Sequence, residues 1–293
     1  MQVRKIGSMA TFPGREETLE DVIKRLVPQL DRIYIYLNEY KKIPSFLEKY
    51  SNVMPILGIH THGDLSANGK MIFLEYEEKD CLIFTLDDDI LFPEDYVQTM
   101  SSYMEEFNYD VGLTVHGSII PDVASWYYER TCVFGARKNL TYHHVINLIG
   151  SGTFVFMKNK VPLNFDQFKH DVYVDLALSL IALDNNVPLL AVKRPENWIK
   201  FIRYEGLWEV FKDEITHHTQ LLQNSKAWRL EHVKSVWDMF LFKNSLNIEE
   251  YIKTHNLDRE FCLLTKKDAT PLSWRGGHVE MQKLEEFYKK IIK

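Results

Sequence analysis

The sequence predicts an α/β fold, a mostly parallel sheet covered by helices, with a helical C-terminal extension. Three observations carry that expectation. Short apolar runs alternate with amphipathic stretches four times in about ninety residues, as parallel strands joined by crossover helices do. After Trp198 the pattern changes to successive helical stretches with little strand signal. The composition, 45% hydrophobic and 26% charged, is that of an ordinary soluble globule and excludes disorder.

The elements follow in order. Runs at 6–10, 33–37, 53–58 and 82–86 read as strands, and 16–30, 44–50 and 69–79 as the helices between them. Leu19, Val22, Ile23 and Leu26 set the helical spacing of the first. A helix is predicted over 94–107 and a strand over 111–116. The apolar stretch 145–157 is broken by Gly150-Ser151-Gly152, which predicts strand, tight turn and strand. Residues 171–185 read as a helix and 188–192 as a short buried strand. Helical patterns over 207–225, 229–242, 248–255 and 280–292 complete the chain. A boundary near 204 therefore divides an α/β domain, 1–204, from a helical region, 205–293.

The 293 residues carry 35 Lys+Arg against 41 Asp+Glu, a formal charge of -6. That argues against a general nucleic-acid binder, which shows a basic footprint. Cys81, Cys132 and Cys262 are odd in number and widely spaced, so they suggest neither a disulfide framework nor a zinc pattern. No apolar run approaches bilayer length, and Met-Gln-Val-Arg-Lys leads into a strand rather than a signal-peptide core. The Asn139-Leu140-Thr141 sequon carries no weight without a secretory signal. The expectation is a cytoplasmic protein. The amphipathic 281–293 suits packing, or peripheral attachment at the inner face of a membrane.

The sharpest chemical feature is Asp87-Asp88-Asp89, at the end of the apolar run 81–86. At about 4 Å and an effective dielectric near 20, each like-charge pair costs roughly 4 kcal/mol. A divalent cation with oxygen ligands, Mg²⁺ or Mn²⁺, removes that cost and typically completes its shell with substrate phosphates. In an extended backbone Asp87 and Asp89 face the same way and can share one ligand. The alternative is a solvated acidic turn before Pro93. Ligands of open α/β sheets bind beyond the carboxyl ends of the strands, so the residues after each strand matter. Thr11-Phe12-Pro13-Gly14-Arg15 follows the first strand and could hold a nucleotide's phosphates or ring, or simply start a helix. Asn38 follows the second strand, and Asp64, Asn68 and Lys70 follow the third. Lys70 at a helix start opposes the helix dipole, which a bound anion would explain, as would a surface lysine lying along the fold.

Several runs, taken together, resemble a known family. They are Thr11-Phe12-Pro13-x-Arg15, Asn68-Gly69-Lys70, Asp87-Asp88-Asp89-Ile90-x-x-Pro93-x-Asp95-Tyr96-Val97 and Val115-His116-Gly117. Farther on come Asn147-x-x-Gly150-Ser151-Gly152-Thr153, Val174-Asp175, Arg194-x-x-Asn197-Trp198 and Glu205-Gly206-Leu207-Trp208. In order and spacing they resemble nucleotide-sugar transferases of the glycosyltransferase A fold, in particular the bacterial α-N-acetylglucosaminyltransferases that build heparosan-type capsules. The resemblance extends from the first strand to about residue 235 and is silent beyond.

It implies a Rossmann-like fold, a UDP-sugar donor, Mn²⁺ or Mg²⁺, retention of anomeric configuration, and transfer to the non-reducing end of a growing polysaccharide. Carried over, Asp89 is the primary metal ligand and Asp87 a ribose or second metal contact, with Asp88 also near the nucleotide sugar. Thr11, Pro13, Arg15 and Lys70 would line the uridine and diphosphate. A capsule-synthesis complex at the membrane is an implied partner.

Asp175 lies among Leu176, Leu178, Leu180 and Ile181, where a carboxylate needs a partner or a task. In an inverting enzyme it would serve as base. In a retaining one it would position the acceptor or steady developing positive charge, and a helix N-terminal charge is the third reading. Asp171 reads as a helix cap. Gly150-Ser151-Gly152 offers either a close backbone floor for a sugar, through Gly152, or a plain hairpin. Arg194 with Trp198 could offer a cation and an apolar platform. His116 reads as structural, and His217-His218 as a poor metal pair because adjacent helical residues diverge. Trp208, Trp228 and Trp237 read as packing core. Two other functions compete: a nucleotidyltransferase, which usually carries a richer glycine loop after the first strand, and a non-catalytic carbohydrate binder, which the intact acidic triplet disfavours.

Overall fold

The computed structural model describes residues 3–124, 127, 129–169, 173–202, 215–245 and 247–257. In chain order the strands are β1 (Lys5–Thr11), β2 (Arg32–Leu37), β3 (Val53–Leu57), β4 (Leu82–Leu86), β5 (Ile90–Leu91), β6 (Gly112–Thr114) and β7 (Gly117–Ile119). They continue as β8 (Cys132–Phe134), β9 (His144–Ile146), β10 (Leu148–Ile149), β11 (Thr153–Met157), β12 (Leu189–Ala191) and β13 (Lys200–Phe201). The main sheet has eight strands in the order β3-β2-β1-β4-β11-β6-β12-β9. Its first four strands are all parallel, and β12 is parallel to β6, whereas β11 and β9 run against their neighbours. The order β3-β2-β1-β4 reverses direction at β1, so the crevice for a ligand opens beyond the carboxyl ends of β1 and β4.

Burial explains why the early strands were legible. Ile33, Tyr34, Ile35, Tyr36 and Leu37 are all fully buried, as in a strand covered on both faces. Helix α1 (Glu16–Leu26) buries Leu19, Val22, Ile23 and Leu26, each worth about 2 kcal/mol relative to exposure. Glu16 and Glu17 in its first turn and Lys24 and Arg25 in its last complement the helix dipole. Beyond the helix, Gln29 accepts from the Val97 amide at 3.0 Å and donates to the Pro93 carbonyl at 3.0 Å. It thereby ties α1 to the start of α2 (Tyr96–Glu106). Helix α3 (Val174–Asp184) buries Val174, Leu176, Leu178, Ala182 and Leu183.

Three predicted helices differ, and the strand expected before Gly150 splits into β9 and β10 in separate sheets. The helix expected over 69–79 is a 3-10 helix at Ser66–Glu75, because Met71, Ile72 and Phe73 are buried in succession rather than on one face. The helix expected over 44–50 shrinks to the 3-10 turn Leu47–Lys49. The first helix stops at Leu26 rather than residue 30, just ahead of Pro28. The region after 204 is helical where described, at Ile215–Asn224, Leu230–Asn244 and Ile248–Thr254. Val233, Trp237, Phe240 and Leu241 join the same core as the sheet, and Trp228 packs with Ile120, Leu148 and Leu176. Lys243 and Lys160 both pair with Asp110, at 2.6 and 2.7 Å, tying the helix Leu230–Asn244 to the turn between α2 and β6. The expected boundary at 204, Asp171, Trp208, the side chains of His217 and His218, and 280–293 lie outside the described residues. Among the described residues no helix is long and apolar enough to cross a membrane.

Candidate active site

The register of the sheet assembles the site. Met9 of β1 is level with Leu86 of β4, and Leu86 with Thr153 of β11. Continued past the strand ends, the first pairing puts Thr11 beside Asp88 and the second puts Asp87 beside Gly152. The chain turns at Asp88 and Asp89 instead of staying extended. The alternation expected to aim Asp87 and Asp89 alike therefore does not apply. Asp88 and Asp89 share one cation, Arg15: its Nη1 contacts the Asp88 carboxylate and lies 3.7 Å from Asp89 Oδ2. Asp87 pairs instead with Lys70, whose Nζ contacts its Oδ1.

Each carboxylate differs in what surrounds it. Asp88 is 3% exposed, and its Oδ2 has no hydrogen-bond partner. Burial raises the Asp88 pKa against the opposing pull of Arg15. Burial pulls the Arg15 pKa down, but Asp88, with Asp89 and Asp87 behind it, raises it above the ordinary value, so the guanidinium stays charged. Asp89 is pushed up to about 7, by burial first and then by Asp87 and Asp88. Asp87 is thus the carboxylate that acts on Asp89 most strongly. Three carboxylates here face two cations, and the uncompensated one is Asp89.

The other strand ends complete the site. Asp175, in the first turn of α3, accepts the Ser151 amide at 2.9 Å on Oδ1. Ser179 fastens this turn by donating to the Asp175 carbonyl at 2.6 Å while accepting the Ile149 amide at 3.0 Å. Lys70 reaches the same loop, with Nζ 3.2 Å from Ser151 Oγ. Asp175 is half-buried, and burial raises its pKa while Lys70 opposes. Thr85 bonds the Ser151 carbonyl and Thr114 the Gly150 carbonyl at 3.1 Å, so the loop is held from both flanking strands. Ser151 was not singled out from the sequence as a site residue. Its signal was its place between two glycines.

Gly152 has a specific reason to be glycine. A Cβ there would stand 2.1 Å from Asp87 Oδ2 and 2.5 Å from Asp87 Cγ. Gly152→Ala is expected to fold, since only a carboxylate must swing aside. It should lose about a hundredfold in turnover, the scale of an ångström-sized misplacement. Turnover read beside thermal melting checks this, and wild-type turnover would show that the position of Asp87 is unimportant.

Several expected residues are not drawn into the cluster. Asn38 is buried but pins a loop, accepting the Leu65 amide at 2.9 Å and donating to the Ser66 carbonyl at 3.0 Å. Asp64 is exposed and caps the Ser66 amide at 2.8 Å. Pro13 is exposed in the turn after β1, where Gly14 has φ 87°. Thr11 and Asn68 are buried at the ends of their elements beside the site. Arg194 is corrected from sugar contact to structural clamp. Buried at 4% exposure, it donates to the carbonyls of Val192 and Gly135, both at 2.7 Å, and burial pulls its pKa to about 9. Trp198 likewise leaves Arg194 and packs on Tyr96, with Nε1 3.3 Å from Asp95 Oδ1. His116 is exposed at the same sheet edge, its ring against Gly150.

The donor set suits a hard divalent cation, since Asp87 and Asp89 supply only oxygen and Asp89 has no cation of its own. Among the described residues no group of three or more His, Cys, Asp or Glu side chains is arranged to hold a metal ion. Two carboxylates that share a cation with phosphate oxygens need no such group.

No family model matches the chain, and no curated protein matches it. Among solved structures it is similar to residues 1–349 of S. aureus TarS, at 12% identity over 87% of this chain and 79% of that one, TM-score 0.48. It is also similar to the same S. aureus TarS fragment in complex with UDP-GlcNAc, at 11% identity over 87% and 82%, TM-score 0.44. Against a longer S. aureus TarS chain it matches at 11% identity over 85% of this chain and 46% of that one, TM-score 0.46.

Proposed function

We propose that the chain is a metal-dependent glycosyltransferase that moves N-acetylglucosamine from UDP-N-acetylglucosamine to a growing capsular or surface polysaccharide, with retention. The observation that carries the reading is the meeting of Asp87 and Asp175 through Lys70 and Ser151 at the carboxyl edge of the sheet. It sets a phosphate-side group and an acceptor-side group around one floor. The sugar and the acceptor come from the family resemblance.

In this reading Asp89 and Asp87 hold the divalent cation, which when bound neutralises charge on the leaving diphosphate. Arg15 keeps Asp88 and Asp89 in place, and the Thr11–Arg15 turn receives the nucleotide. The Gly152 backbone lets the sugar lie close to Asp87. Asp175 orients the acceptor hydroxyl, whose proton can pass to the departing phosphate oxygen when configuration is retained.

The test is incubation with Mn²⁺ and a panel of radiolabelled sugar nucleotides. UDP-N-acetylglucosamine should be preferred over UDP-glucuronic acid. A second carboxylate would enter an acidic site, and Arg194, which could have paired with it, is committed to backbone carbonyls. Faster transfer or hydrolysis from the glucuronic acid donor would overturn this choice. Pyrophosphate release would point to a nucleotidyltransferase, and no turnover with any donor to a binding protein.

A further inference from the structure

Lys70 has a burden that lining a diphosphate does not explain. It is 5% exposed, so its ammonium needs an anion at hand at all times. That anion is Asp87, with the neutral Ser151 hydroxyl as its other partner and Asp175 as the next carboxylate to act on it. Asp87 is engaged through one of its two oxygens. Its Oδ1 meets Lys70 and its Oδ2 faces Gly152, where a single added carbon would overlap it.

The backbone of Lys70 cannot retreat. Gly69 lies against the Tyr36 ring, so that an added Cβ would sit 2.6 Å from it, and Met71, Ile72 and Phe73 are fully buried on the other side. Only the flexible stem can move, which lets the ammonium pivot within the crevice but not leave it.

We propose that Lys70 and the divalent cation compete for Asp87, so that loading of cation and nucleotide releases the ammonium from that carboxylate to the incoming diphosphate. The inference rests on the metal-dependent reading above and deepens it. Lys70 then guards Asp87 against cation alone and rewards cation delivered with the diphosphate.

The two roles of Lys70 give effects of opposite sign: its loss frees Asp87 for the cation and deprives the diphosphate of a partner. Titration of the full chain with Mn²⁺ alone, read by electron paramagnetic resonance of the free ion, measures the first. Lys70→Met is expected to bind Mn²⁺ about tenfold or more tightly than wild type, since one positive charge is removed beside the site. Calorimetric titration of UDP at saturating Mn²⁺ measures the second, and there the same variant should bind about tenfold more weakly. Lys70→Gln, which keeps hydrogen bonding without charge, should act in the same direction and serves if the methionine variant fails to fold. Lys70→Arg should stay near wild type for Mn²⁺. Unchanged or weaker Mn²⁺ binding in both neutral variants, with UDP still binding in a Mn²⁺-dependent way, overturns the competition and leaves the metal reading standing. Failure of every form to bind Mn²⁺ even with UDP present overturns both.

Discussion

Asp175→Asn is expected to lower turnover by about 10²–10⁴-fold while leaving UDP affinity near normal and thermal stability undiminished. The stability part follows from geometry and sign. The Ser151 amide donates to Asp175 Oδ1, and an asparagine oxygen can accept the same bond. Burial raises the Asp175 pKa above its unfolded value. The native state therefore holds that proton more tightly than the unfolded chain, and ionisation becomes a penalty as pH rises through the native pKa. Asparagine carries no such penalty, so the variant should melt no lower than wild type near neutrality, and the difference should shrink as pH falls through the native pKa and be gone below the unfolded one. Loss of turnover with retained stability is the behaviour of a residue kept for chemistry.

The pH profile then separates its two roles. A base would lose the acidic limb of the rate profile with the carboxylate, whereas a positioning group would leave that limb to another residue. An α-configured product from the α-configured donor, read from the anomeric proton by NMR, supports positioning. A β-linked product returns Asp175 to the role of base. More than about a tenth of normal turnover in the variant would remove it from the active site.

What could be read from the sequence depended on whether one segment carried its own signal. Strands β1, β2 and β4 are buried on both faces and appear as plain apolar runs, and α1 shows its four buried positions at helical spacing. Strands β5, β10 and β13 have two residues each, too few to show a period. The insertion of β11 between β4 and β6 depends on pairing between distant segments, which no local pattern announces. The same division runs through the site. Asp87–Asp89 is contiguous and was visible. Asp175 was suspected from its apolar neighbours, but its bond to Ser151, 24 residues away, was not. Arg194 looked like a free cation because carbonyl groups have no letter in a sequence, and the backbone of Phe134 to Ala136 is what holds it.

Asp89→Ala is expected to abolish metal-dependent activity and metal-dependent UDP binding while leaving the fold intact. Of the three carboxylates, Asp89 has the weakest counter-ion, sharing at 3.7 Å an Arg15 already in contact with Asp88. Its pKa of about 7 records that shortage, with burial as the first cause and its acidic neighbours as the next. Removing it relieves repulsion on Asp87 and Asp88 and breaks no hydrogen bond of the backbone. The Asp89 carbonyl would still accept the Ile202 amide at 2.9 Å, the bond that continues the pairing of β5 with β13. Asp88→Ala would behave differently, since it strips the half-buried Arg15 of its contact partner and should lower the melting temperature as well as activity. The pair of variants thus separates a carboxylate that serves a ligand from one that serves the fold. Calorimetric titration of UDP with and without Mn²⁺, beside thermal melting of both proteins, reads the difference. If Asp89→Ala keeps wild-type Mn²⁺-dependent affinity and turnover, this carboxylate does not hold the cation.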